Sequence, residues 1–123
     1  MDSAIVFTYS RPAVGRESKA FDAFTGAQSF FAQHASAGKC GEPIYFLGPS
    51  GTSLIIVPGS FGDLAELVRT DEFLELWTRA ILAAPDLAYE IGLYGEGVQD
   101  AMARWVRVVG ELDTELAGAG IVT

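Results

Sequence analysis

The chain has 123 residues, 50% of them apolar, a mean hydropathy of +0.28 and a net charge of −8. That length fits one domain with ample material for a core, and the acidic balance, with eight Lys and Arg scattered along the chain, argues against nucleic acid or an anionic membrane as a partner. No apolar run approaches the roughly 18 residues that span a bilayer, and the start, MDSAIVFTYS, lacks the basic region of a signal peptide. Cys40 is the single cysteine and has no partner for an internal disulfide, so a reducing cytoplasm is the expected compartment.

Residues 4–9, AIVFTY, are apolar or β-favouring without alternation, the pattern of a strand buried on both faces. After a turn through Arg11, Pro12 and Gly15, the spacing predicts a helix over about 16–37. Its apolar stripe is Phe21, Phe24, Phe31 and Ala35, with Ala20 and Ala27 beside it, and it stops at the glycines of GKCG. IYFLG and TSLIIV then flank GPSG. A phosphate-binding loop needs a lysine and a following helix; GPSG has neither, so it reads as a hairpin turn.

Ser60 followed by Asp63, and Thr70 with Asp71, are two helix-start signals, giving helices over roughly 61–69 and 71–84. Leu64, Leu67 and Val68 form the buried stripe of the first. Phe73, Trp77, Ala80, Ile81 and Ala84 form that of the second. A fourth strand runs from Leu87 to Tyr94. The last helix covers about 98–116, with Val98, Met102, Trp105, Val109, Leu112 and Leu116 repeating at alternating intervals of four and three, a narrow apolar seam on a charged helix. Both Trp77 and Trp105 are expected in apolar packing. One domain is expected over 1–116, with 117–123 as a frayed tail.

The order β-α-β-β-α-α-β-α is that of an α+β ferredoxin-like fold, a four-stranded antiparallel sheet, with one added C-terminal helix. Helices cover one face of such a sheet, and the other face alternates to polar residues where water touches it. AIVFTY and SLIIV do not alternate, so the second face expects a cover. A second copy of the same sheet is the commonest one, and the pattern predicts a homodimer.

The strand followed by G-R-E-x-x-x-F (Gly15, Arg16, Glu17, Phe21), the hairpin, and the DEFLELW segment before the last strand resemble the dimeric α+β-barrel superfamily in layout. That superfamily includes the antibiotic-biosynthesis monooxygenases and the NIPSNAP-like proteins. The resemblance covers about residues 4–97 and implies a homodimer with a pocket in each subunit between sheet and helices. It carries no particular reaction, because the fold hosts oxygenases, isomerases, haem proteins and members without known activity.

No catalytic motif is recognisable, so function is narrowed rather than given. A small apolar or aromatic ligand in the pocket is the leading reading, a cofactor-independent monooxygenase or isomerase the alternative, and a protein-interaction module recruiting another chain through the last helix a third. No cofactor and no metal are expected, since His34 is the single histidine and Cys40 lies apart from it. The candidate bases are Glu90, mid-strand between small residues, and His34, near the end of the first helix; an edge-strand carboxylate and a helix-end imidazole are the structural readings of the two. Tyr9, Tyr45, Trp77 and Tyr94 are candidate ligand contacts, as is Tyr89, and Arg11 is a candidate partner for an acidic ligand or for Glu90. Lys39 beside Cys40 is expected to lower the thiol pKa. The segment GEGVQD half resembles a dinucleotide motif, but Asp100 stands where its third glycine belongs and Glu96 and Asp100 repel phosphate, so it is rejected. Asp100 is instead expected in the first turn of the last helix, with Arg104 as its partner four residues on.

Overall fold

The apolar stretch at the start forms β1 (Ser3–Tyr9), the inner strand on which the sheet is built; the computed structural model describes residues 2–50 and 52–120. After it come α1 (Glu17–Ser36), β2 (Ile44–Leu47), β3 (Ser53–Gly59), α2 (Phe61–Leu67), α3 (Asp71–Ala83), β4 (Ala88–Leu93) and α4 (Glu96–Gly118). The strands lie in the order β2-β3-β1-β4, and every neighbouring pair is antiparallel. This is the ferredoxin-like α+β arrangement predicted from the sequence.

The hairpin between β2 and β3 closes through Gly48, whose N–H donates to the Thr52 carbonyl at 2.8 Å. Pro49 and Ser50 make the turn, while Gly51 lies outside the described residues. Pro58 is tolerated in the inner strand β3 because β2 ends its pairing at Ile56, so the missing N–H faces no strand there. The Ser60 hydroxyl accepts from the Asp63 N–H and caps α2, and the Thr70 hydroxyl accepts from the Phe73 N–H at 3.2 Å and caps α3.

Alternation along each strand sends Ile5, Phe7, Ile55 and Val57 to the helix side, where they join Phe30, Phe31, Leu64, Leu67 and Phe73 in the core. Ile5, Val57 and Leu64 are the large side chains most completely enclosed. The stripe expected on α1 is shifted. Phe21 is 67% exposed, whereas Phe30 is buried with its ring 6.1 Å from that of Phe73. At about 100° per residue, Phe21 lies beyond one edge of the arc centred on Phe24, Ala27 and Phe31. Phe30 lies beyond the other edge, and that is the side on which α3 packs.

Among the described residues nothing covers the opposite face of the sheet. Val6, Leu54 and Ile56 are half-buried there, and Ile44 and Phe46 of the edge strand β2 are exposed. The seam of α4 is also uncovered: Met102, Trp105 and Leu112 are all at least half exposed, with Trp105 at 62%. The expectation that Trp105 is packed therefore fails within one chain, because no other element lies along that helix face. α4 starts two residues earlier and ends two later than predicted. Glu96, not Asp100, occupies its first turn, and its ion pair is Arg107–Glu111 rather than Asp100–Arg104.

Candidate functional site

A hollow lies between the helices and the sheet because the inner faces of α1 and α3 carry alanine where a filled core would carry larger side chains. Ala20, Ala23 and Ala27 of α1, and Ala80 of α3 with Ala84 just past its end, face the same space. Phe7, Tyr9 and Ile55 form its floor on β1 and β3. Phe24, Phe31, Phe73, Leu76 and Trp77 form its walls, and Leu87 closes one side. The two helices approach closely above it: a side-chain carbon at Gly26 would stand 3.1 Å from Leu76 Cδ2. The room inside is about 70 Å³, so only part of a small ligand fits within it.

Its walls are rigid aromatic packing. The Phe7 ring lies 5.6 Å from Phe31 and 5.5 Å from Tyr89, and Trp77 meets Tyr89 edge to face at 4.7 Å. Phe73 and Trp77 are nearly parallel, with centroids 6.4 Å apart. Such offset and edge-to-face contacts hold ring planes in place beyond what area alone would do. Among the described residues lining the hollow, only Tyr9 and Trp77 carry a hydrogen-bonding side chain, and none is charged.

The structure brings together only some of the residues singled out from sequence. Tyr9 and Trp77 line the hollow. Tyr45 stands one ring away, edge-on to Phe24 at 5.8 Å, and burial followed by the nearby Glu42 charge raises its phenol pKa. Tyr89 supports the wall from behind without lining it. Tyr94 follows β4, its N–H donating to the Asp2 carbonyl at 2.8 Å, away from the hollow.

The two candidate bases lie elsewhere. Glu90 pairs in register with Val6 on edge strand β4 and points to the open face with Ala88 and Gly92, the position expected of an edge-strand carboxylate. His34 sits in the last turn of α1 with its ring 4.4 Å from that of Phe30, as the helix-end reading anticipated. Neither lines the hollow. Arg11 is exposed, and among the described residues no ion pair joins it to Glu90.

Cys40 corrects an expectation outright. It is buried, its Sγ lies 3.8 Å from the Phe31 carbonyl, and its pKa is raised, first by burial and then by Glu42. Lys39 is exposed and does not lower it. No group of three metal-binding side chains occurs among the described residues. No helix of the described chain is long and apolar enough to cross a membrane.

The residues that sequence reasoning missed as a site are the alanines. Ala20 and Ala27 read as the flank of a packing stripe and Ala80 and Ala84 as part of one, and nothing in a single helix says that facing small residues leave a gap.

No protein-family model and no curated protein matches the chain. Solved structures do. SnoaB, a cofactor-independent oxygenase from Streptomyces nogalater, is 13% identical and superposes with a TM-score of 0.57 over 76% of this chain and 91% of its own. An EthD family protein from Bacillus halodurans is 17% identical, with a TM-score of 0.54 over 77% of this chain and 100% of its own. An antibiotic biosynthesis monooxygenase is 12% identical, with a TM-score of 0.55 over 77% and 97%. At these identities the likeness is one of fold. It is the ferredoxin-like α+β fold of the antibiotic biosynthesis monooxygenases that the sequence layout resembled. These neighbours are matched over nearly all of their length while about a quarter of this chain falls outside.

Proposed function

We propose that this chain binds a small apolar or aromatic molecule in the hollow between α1, α3 and the sheet, and that it does so in the cytoplasm as a homodimer. The observation that carries the reading is the line of alanines facing the hollow. Aromatic rings fix its walls while Ala20, Ala27, Ala80 and Ala84 leave its centre unfilled. A core whose only task is stability is packed to density, because each unfilled space forfeits contacts on all its walls. Tyr9 and Trp77 supply the hydrogen bonds that would orient a ligand carrying one polar group.

Fluorescence titration with neutral phenylnaphthylamine tests the site. The expected result is saturable binding to the native protein and at least about tenfold weaker binding to Ala27→Phe and Ala80→Leu, each of which fills the hollow from a different helix. Circular dichroism checks that both variants stay folded. Equal binding by both folded plugs, or no binding by the native chain, overturns the reading.

A second reading is cofactor-independent oxygenation of such a molecule, and the likeness to SnoaB favours it. In that reading the hollow excludes water and the Tyr9 hydroxyl orients the substrate, while Glu90 and His34 play no part because they lie off the hollow.

A further inference from the structure

Beside the mouth of α1, a second depression runs between α1 and α3. It is lined by Arg16, Lys19 and Asp22 from the α1 side and by Arg79 and Leu82 from α3. Ala23 and Leu76 line both this groove and the aromatic hollow, so an apolar site and a basic one adjoin along a shared edge. Three of the chain's eight Lys and Arg converge here on a protein of net charge −8. Scattered in sequence, they are gathered by the packing of α1 on α3.

Three carboxylates, Glu17, Asp22 and Glu75, stand near them. Glu17 accepts from the Gly15 N–H at 3.3 Å, and Glu75 pairs with Arg79 at 2.9 Å, an exposed ion pair of the weak kind. Asp22 is the one acid lining the groove. One guanidinium nitrogen of Arg16 donates to the Leu82 carbonyl at 2.6 Å, which lays the group along the end of α3 and leaves its remaining N–H donors unused by that bond. Lys19 makes no ion pair among the described residues.

We propose that the ligand is an amphipathic anion, with its apolar body in the hollow and a carboxylate-like or sulfonate-like group in the groove between Lys19, Arg79 and Arg16. This rests on the reading of the hollow as a ligand site and adds the polarity of the ligand. Uncharged walls give no grip on an acid, whereas the adjoining groove offers Lys19 and Arg16, and Arg79 if it exchanges Glu75 for the ligand.

Two probes of nearly the same shape separate this inference from the reading beneath it. Anilinonaphthalene sulfonate and phenylnaphthylamine differ in the sulfonate. With native protein at low salt, the sulfonate is expected to bind about fivefold to tenfold tighter than the neutral probe. The preference should shrink toward parity in about 1 M salt, where screening acts within about 3 Å. Lys19→Ala with Arg79→Ala, both surface changes, is expected to abolish the preference and leave the neutral probe unaffected; Ala27→Phe weakens both probes. Equal affinity of the two probes for native protein, or a preference that survives the double substitution, overturns the anionic ligand and leaves the hollow standing. Sulfonate binding undiminished in folded Ala27→Phe also overturns it, since the apolar body then sits elsewhere. Failure of both probes to bind sinks the hollow and this inference together.

Discussion

Ser10 and Asp86 show how a single carboxylate ties the loop after β1 to the start of β4. The Asp86 carboxylate accepts from both the Ser10 N–H and the Ser10 hydroxyl, and with these bonds as the largest cause its pKa falls below the ordinary carboxylate value. A lowered folded-state pKa gives stability that is present above the unfolded pKa, near 3.9, and lost as pH falls through the folded value. Asp86→Asn should therefore lower stability at neutral pH, by no more than about 1 kcal/mol because the group is exposed. The difference from the native chain should vanish under strong acid; urea unfolding at pH 7 and pH 2.5 measures both. Neither partner is visible as a pair in the sequence, since 76 positions separate them. Cys40 is illegible for a similar reason. Its sequence neighbour Lys39 suggests a reactive thiol, but the wall that buries it, around Phe31, arrives from nine residues away.

The elements were more legible than the residues. Short apolar or β-favouring runs and 3.6-residue patterns, together with Ser60 and Thr70 as caps, place all four strands and all four helices of the described residues, because those signals are local. Thr70 is a direct test of that locality. Replacing it with Ala removes the acceptor for the Phe73 N–H, and the expected cost is about 1 kcal/mol of folding stability by chemical denaturation, with Thr70→Ser recovering most of it. Local pattern ran out where burial depends on a neighbour. Phe21 and Phe30 look alike as members of a helix, and only the position of α3 decides that Phe30 is inside and Phe21 is not. The candidate site shares that fate. Tyr9 and Trp77 could be named because ring and polar tip travel together in one residue, whereas the hollow exists only where two helices turn alanines toward one another.

At the scale of the whole molecule, the uncovered sheet face carries the expectation of a second copy. Ile44, Phe46, Leu54, Ile56 and Val6 share that face, with Glu90 as its charged member on the edge strand β4. An apolar face of this kind is self-complementary across a two-fold axis, with charge kept at the rim. Native mass spectrometry at micromolar concentration should give a dimer, and Ile56→Asp, which plants a charge mid-face, should shift it to monomer. A native chain that runs as a monomer would remove the second copy from the proposal.

The joint between β4 and α4 has a mechanical consequence. Gly95 has φ of 57° and ψ of −121°, a backbone state that suits glycine, and a side-chain carbon at Gly97 would fall 2.2 Å from the Asp2 carbonyl oxygen. The Tyr94 N–H also bonds to that carbonyl, so the root of α4 is clamped to the residue preceding β1. With 23 residues, α4 reaches about 35 Å from that clamp. Its root is thus fixed one residue before the strand that carries Phe7 and Tyr9 to the floor of the hollow.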